Sequence, residues 1–420
     1  MADFLSVEEA LERILASIPR LSRERVFLSQ ARGRILAESL ASPFDSPRFD
    51  NAAMDGIGVS FPEDPTYPLS FTLVGESRAG SPFDERVAPG EAVRISTGAR
   101  CPLGVDTIIP REFLDFQDHL VYVDPARPEA ATMRPPKRGA NLRMTGSYLK
   151  KGTEALSPGR PLGSAEVGLL ASFSKAEVLV YGAPRVGILT TGDELVPLGD
   201  PLGPGQIVNS NAYMLAAQVE GAGGIPIRYP NTPDDRESIL GAYKKALEEC
   251  DLVVSSGGVS VGDHDHVKDV LAELSTSMAF WKVQVKPGKP LAFGVAMNGR
   301  KAVPLLGLPG NPASSFVGFH LFVQPALEKL QGLASAQGLL RVEATLLGPA
   351  KGARGRRSYL AGALISQEIG LGFRPYEDQS SGNPALFSGA GGLGIAEPEA
   401  LLEVGSSIEV LILPNAPVCR

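Results

Sequence analysis

The chain reads as an α/β domain flanked by β-rich domains, and three observations predict this. Between residues 176 and 330, short apolar runs alternate with stretches of helical length, the pattern of parallel βαβ units in a doubly wound sheet. Before that region, over 44–150, and after 331, helical periodicity is weak. Short strand-like runs there are broken by Pro and Gly. Composition is the third: of 420 residues 43% are hydrophobic and 21% charged, so every domain can build a core. The 47 Gly and 35 Pro are many, yet short of a disordered composition, and imply tight turns.

The elements follow in order. Ser6-Val7-Glu8-Glu9 has the form of a capping box, and Leu11, Ile14 and Leu15 then recur at helical spacing, which predicts a first helix to Ile18-Pro19. Runs at 70–74, 92–96, 107–109 and 120–123 predict strands of a small β-rich domain. A helix over 164–173 leads to a strand over 176–180. Next come a strand at 186–189, a helix at 212–219 and a strand at 225–229. Thr232-Pro233 then reads as a helix start, Thr232 capping, with the helix running to Cys250. Residues 252–254 read as a strand, 267–274 as a helix, and 283–285, 291–293 and 303–306 as strands. One long helix is expected over 313–330. Runs at 341–347, 358–364, 373–375 and 408–413 predict a terminal β-domain.

The formal net charge of −7 and the lack of a basic stripe argue against a nucleic-acid partner. Lys150-Lys151, Lys244-Lys245 and the arginines of 354–357 read as solvated faces. Cys101, Cys250 and Cys419 form no CxxC, and there are only four His, so neither a disulfide framework nor a zinc site is expected. A reducing cytoplasm fits. The first residues lack a basic and an apolar region, so no signal peptide is expected. No run of about 18 apolar residues occurs, so no membrane span is expected.

Ligands of an open parallel sheet bind outside the carboxyl ends of the strands. Four polar, glycine-bearing loops follow or flank the expected strands there: Thr190 to Leu195, Ser255 to Asp263, Lys286 to Pro290, and Gly307 to Pro312. In the second, glycines let the backbone approach a phosphate, and a following helix N-terminus offers free N–H donors. A plain βα turn would look similar. Lys286 and Lys289, three apart around Pro-Gly, can aim two ammonium groups at one oxyanion or simply be exposed. Glu194 and Asp265 are carboxylates on two rim loops, and Mg²⁺ is usually held by one or two carboxylates with substrate phosphates. Each is also an acid suited to a helix start. Capping is the simpler reason for Asp235 beside Asp234. His264 and His266, two apart, do not face one another on a helix.

At these residues the sequence resembles the molybdopterin molybdenumtransferase family, the MoeA family, which includes the E domain of gephyrin. The resemblance rests on TGDEL at 191–195, SSGGVSVGDHD at 255–265, KPGKP at 286–290 and LPGNP at 308–312, in family order. Phe49 to Gly56 resembles the family's DNSAMDGYA segment, Ile95 to Ala99 its STGA segment, and Gln379 to Gly382 its QSSG turn. Ala52 replaces the usual Ser, Ile57-Gly58 the usual Tyr-Ala, and Tyr148 stands where the family commonly has an acid.

The resemblance implies four parts: an elongated linker domain (1–45 and 138–175), an inserted β-rich domain (46–137), a molybdopterin-binding α/β domain (176–330) and a C-terminal β-barrel (331–420). It implies a homodimer whose active site lies between one subunit's α/β domain and the other's N-terminal region. The implied reaction inserts molybdate into adenylylated molybdopterin with Mg²⁺, releasing AMP and molybdenum cofactor. Asp55, Thr97, Glu194, Asp265, Lys286 and Lys289 would be catalytic, with Glu194 and Asp265 on the metal. Substrate contacts would come from Thr191, Gly192, Asp193, Asp234, Ser256, Gly257, Gly258, Ser260, Gly262, Pro309, Gly310, Asn311 and Ser381. The molybdopterin adenylyltransferase and molybdoenzyme apoproteins are the protein partners it suggests. Two rival readings remain: a non-catalytic scaffold on this fold, and the adenylyltransferase of the preceding step.

Overall fold

The computed structural model describes residues 4–258, 266–414 and 418–419. The chain forms two compact units. One comprises 1–38, 158–167 and 176–420, the other 39–157 and 168–175.

In the first unit, strand β1 (Phe4–Leu5) and helix α1 (Val7–Ser17) open the chain. The capping box is present as the sequence predicts: Glu9 N–H donates to Ser6 Oγ at 3.1 Å and Ser6 N–H to Glu9 Oε2 at 2.8 Å. Then come β2 (Arg185–Thr190), α2 (Ser210–Gly221), β3 (Ile225–Arg228), α3 (Arg236–Glu249), β4 (Leu252–Ser256) and α4 (His266–Leu274). Strands β5 (Ser275–Val283), β6 (Pro290–Asn298) and β7 (Lys301–Leu308) follow, with helices α5 (Pro312–Gly318) and α6 (Gln324–Leu330). The seven strands lie in the order β1-β5-β6-β7-β4-β2-β3.

β2 pairs in parallel with both β3 and β4, and β4 with β7. α1, α2, α5 and α6 cover one face, where Ile14, Leu215 and Val254 are fully buried. α3 and α4 cover the other, around Tyr243, Val253 and Val270. The sheet is therefore doubly wound, and the chain leaves β2 for β3 on one face and returns to β4 on the other. That reversal opens a crevice at the carboxyl ends of β2 and β4.

Three local expectations change. β6 runs antiparallel to both β5 and β7, so the sheet is mixed. Its register with β7 pairs Asn298 with Lys301, leaving a two-residue turn at Gly299-Arg300. Such a turn permits only an antiparallel return. The helix start placed at Thr232-Pro233 falls at Asp235, whose side chain accepts from Ser238 N–H at 2.8 Å. Thr232 is buried and bridges Thr191 instead. The expected long helix over 313–330 contains a π segment at Phe319–Val323. Pro325 lacks the N–H that would close a regular turn, and its ring would crowd the carbonyl four residues back. A wider turn absorbs both.

After the sheet, strands β8 (Arg341–Leu346), β9 (Arg357–Ser366), β10 (Leu371–Pro375), β11 (Gly392–Ala396) and β12 (Ser407–Ile412) pair in a ring. The order β9-β10-β8-β12-β11 returns to β9, which makes a closed five-stranded barrel.

The second unit centres on a six-stranded sheet in the spatial order Thr107–Pro110, Gly56–Val59, Glu91–Ile95, Leu69–Ser77, Leu120–Val123, Leu114–Gln117. Its buried face holds Ile57, Phe71, Ile109 and Phe113. The strands at Gly56–Val59 and Leu114–Gln117 are additional to those the sequence predicts.

Candidate active site

One cavity of about 1080 Å³ sits at the crevice of the first unit. β2 delivers Thr190, Thr191, Gly192 and Glu194 to it. β4 delivers Ser256, Gly257 and Gly258, and β7 delivers Pro309, Gly310 and Asn311. The loop between β5 and β6 adds Lys286 and Lys289, and the barrel adds Ser381. Asp234, just before α3, completes the set drawn from the sequence. Asp193 does not line the cavity, but its Oδ1 accepts from Asp234 N–H at 3.1 Å. Ser260, Gly262 and Asp265 lie outside the described residues.

The glycines are required by geometry. Gly257 has φ +100°, and a Cβ there would come within 2.7 Å of Thr191 O. At Gly258, φ +62°, a Cβ would collide with the Val267 side chain. The Ser256 hydroxyl accepts from Asn211 Nδ2 at 2.9 Å, and the other hydrogen of that amide goes to Gly310 O at 2.8 Å. Asn211 thus ties the β4 loop to the β7 loop. The barrel is tied in as well: Ala313 N–H donates to Ser381 O at 3.1 Å, and Asn311 Nδ2 to Ser381 Oγ at 3.3 Å. Gln379 fixes that turn by pairing with both backbone groups of Ala361, at 3.0 and 2.9 Å.

The two ends of the cavity carry opposite charge. Burial pushes the Asp234 carboxyl above the usual range, and the neighbouring Asp193 and Glu194 charges push it the same way, against a smaller pull from His266. Among the described residues no three carboxylate, imidazole or thiol groups cluster into a self-sufficient metal cage. Glu194 and Asp234 are nevertheless hard oxygen donors on one cavity wall, the set Mg²⁺ takes when substrate phosphates fill the remaining positions. Lys286, Lys289 and Arg356 line the cavity beside β6, three strands across the sheet from β2.

Arg356 corrects the reading of 354–357 as a solvated face. Val285 pairs with Arg357 and Lys286 with Ser358, so the barrel strand runs beside the lysine loop and brings Arg356 to the cavity. Arg357 turns elsewhere, to Glu8 and, at 2.9 Å, to Glu397. Asn209 and Asn211 were also missed. The available signal was a short polar run, Asn209-Ser210-Asn211, just before a helix. Asn209 caps α2, accepting from Ala212 N–H at 3.1 Å.

Asp55 and Thr97 belong to the second unit and are exposed there. Asp55 Oδ1 accepts from Thr97 N–H at 2.7 Å and from its hydroxyl at 3.0 Å, and these bonds hold the Asp55 carboxyl below the usual range. Tyr148, which stands where the family commonly has an acid, is 62% exposed.

Gathered glycine loops at a switch point, with cations at one end and carboxylates at the other, define a protein that binds a large, multiply charged small molecule. Residues 5–174 match the MoeA N-terminal region (domain I and II), and residues 187–329 match the probable molybdopterin binding domain. A molybdopterin molybdenumtransferase from Nostoc sp. is 40% identical over 338 residues, covering 78% of this chain and 75% of that protein. The Haemophilus influenzae protein of the same name is 38% identical over 330 residues, covering 78% of each. The crystal structure of the molybdopterin biosynthesis MoeA protein from Pyrococcus horikoshii OT3 superposes with a TM-score of 0.80 at 29% identity, covering 98% of this chain and 100% of that one. The chain belongs to the molybdopterin molybdenumtransferase (MoeA) family, a family of transferases.

Proposed function

We propose that this protein inserts molybdate into adenylylated molybdopterin, with Mg²⁺, to give molybdenum cofactor and AMP. The observation that carries this is the single cavity of about 1080 Å³ into which the TGDEL, SSGG, KPGKP, LPGNP and QSSG segments all open. It is large enough for a substrate with a ring system and a pyrophosphate. Lys286, Lys289 and Arg356 bind the oxyanion, and the amides around Gly257 and Gly258 bind phosphate oxygens. Leu195, Ile207 and Val208 supply an apolar wall for a flat ring.

Glu194 and Asp234 would hold Mg²⁺, joined by Asp265 as the family resemblance implies. When bound, the ion neutralises charge on the pyrophosphate. The chain supplies no covalent nucleophile in this scheme. Its part is to orient two anionic substrates and offset their repulsion. As the family resemblance implies, the Asp55–Thr97 turn would contribute from the partner subunit. The enzyme works as a homodimer, and the cytoplasm suits its free thiols at Cys101 and Cys250. The molybdopterin adenylyltransferase and molybdoenzyme apoproteins remain the partners the resemblance suggests.

The test is a reconstitution with purified full-length protein, adenylylated molybdopterin, molybdate and Mg²⁺. AMP release should depend on all three. Cofactor formation by Asp265→Ala at the parental rate removes that residue from the metal site. No AMP release by the parent protein overturns the enzymatic reading in favour of a binding or scaffold role.

A further inference from the structure

The cations of the cavity are not all held alike. Lys286 is exposed, whereas Lys289 is half-buried, with its Nζ 5.1 Å from the centroid of the Phe4 ring. We propose that Phe4 is a positioning residue for Lys289, holding its ammonium group over the oxyanion end of the cavity by a cation–π contact. This rests on the reading of Lys289 as an oxyanion ligand.

The backbone explains why the ring stands there. Leu5 is buried in the core of the first unit, and alternation along a strand sends Phe4 to the opposite side. Phe4 pairs with Lys282 and Leu5 with Val283, and Gln284 N–H donates to Leu5 O at 2.9 Å. Val283 N–H donates to Lys289 O at 2.9 Å, which folds the KPGKP loop back beside β1. The capping box at Ser6 then fixes where the strand ends and α1 begins.

Burial does not account for the aromatic ring, since Phe4 is 53% exposed. Two ammonium groups lie over the ring: Lys289 at 5.1 Å and, more distantly, Lys282 at 6.0 Å. An aromatic face within about 6 Å attracts a cation that an aliphatic side chain of similar size would not. The same N-terminal segment also contacts the barrel strand beside the cationic wall. Glu8, in the first turn of α1, pairs with Arg357, next in sequence to the cavity-lining Arg356. The segment is therefore anchored to the barrel strand that carries Arg356 as well as to the lysine loop.

The experiment uses four full-length proteins beside the parent: Phe4→Leu, Phe4→Trp, Lys289→Met, and Phe4→Leu with Lys289→Met. Each is assayed for the molybdate concentration giving half-maximal insertion, for kcat at saturation, and for its thermal midpoint. An exposed cation–π contact supports an effect of about two- to five-fold. Phe4→Leu should raise half-saturating molybdate by about that factor, with kcat and midpoint unchanged. Phe4→Trp should restore the parental value. In the Lys289→Met background, Phe4→Leu should add nothing. The inference is overturned if Phe4→Leu leaves half-saturation unchanged, or if its effect persists without Lys289. Parental half-saturation in Lys289→Met instead overturns the underlying reading of Lys289, whatever Phe4 does.

Discussion

The acidic and cationic walls of the cavity are assembled by different means. Asp193 and Glu194 follow β2, Asp234 follows β3, and those two strands are neighbours in the sheet. Local topology alone brings the acids together. Burial, reinforced by the neighbouring Asp193 and Glu194 charges, raises the Asp234 carboxyl, so this wall gains most from an arriving cation. The cationic wall takes two lysines from the loop between β5 and β6 and an arginine from a separate barrel. Pairing of Val285 with Arg357 joins them. Here strand pairing between the lysine loop and the barrel, not nearness in sequence, sets three cations on one cavity.

The sharpest way to break this division is to remove one cation. Lys286→Met should lower the rate of AMP release by about a hundredfold, the scale seen when one preorganised charge-stabilising group is lost. A rate within twofold of the parent in a single-turnover assay would mean that the cationic wall does not act on the reaction.

The next largest effect separates the two walls by ligand. Glu194→Gln should raise the Mg²⁺ needed for half-maximal rate by roughly tenfold. Half-saturating molybdate should stay constant. Titration of both ions in Glu194→Gln and in Lys286→Met should give opposite patterns. If each variant shifts both titrations equally, the walls do not divide the labour.

Much of the acidic wall was legible in the sequence, and less of the cationic one. TGDEL and the glycine loop announce themselves because a strand, a tight turn and a helix start leave local composition signals. Arg356 leaves none. Its place depends on strand pairing between the lysine loop and the barrel, and nothing near 354–357 encodes that register. The α/β pattern was readable for the same local reason. The antiparallel β6 was not, because period and length do not report strand direction, and only the Gly299-Arg300 turn hinted at it. At Thr232 two local signals competed. The Thr-Pro pair resembled a cap, but Thr232 is consumed by its bridge to Thr191, and Asp235 caps the helix.

A pH experiment sharpens the account of the acidic wall. The Asp234 carboxyl is raised in the folded protein, so the fold prefers its protonated form. Its contribution to stability is therefore greatest below the unfolded value of 3.8 and is lost as pH rises through the folded value. Asp234→Asn should melt at a higher temperature than the parent at pH 7, and the gain should shrink as pH falls toward 3.8. In turnover the same variant should need more Mg²⁺. An unchanged midpoint at pH 7 would show that neither burial nor the neighbouring acids disfavour the Asp234 carboxylate in the folded protein.

The smallest effect tests the neighbour. Asp235 carries the same side chain one residue on, yet its role is structural. Its Oδ1 accepts from Ser238 N–H at 2.8 Å and caps α3. Hydrogen bonding to Ser238 holds this carboxyl below the usual range, the opposite of Asp234. Its stabilising contribution is therefore present above the unfolded value of 3.8 and is lost as pH falls through the lowered folded value. Asp235→Ala should lower the thermal midpoint at pH 7 by roughly 2 °C, the scale of a lost helix cap in a domain of this size. Half-saturating Mg²⁺ and molybdate should both stay at parental values, since Asp235 does not line the cavity. Asp235→Asn should recover most of the midpoint, because an amide oxygen also caps. A changed Mg²⁺ requirement in Asp235→Ala with an intact midpoint would exchange the roles of the two aspartates and move the acidic wall one residue along the chain.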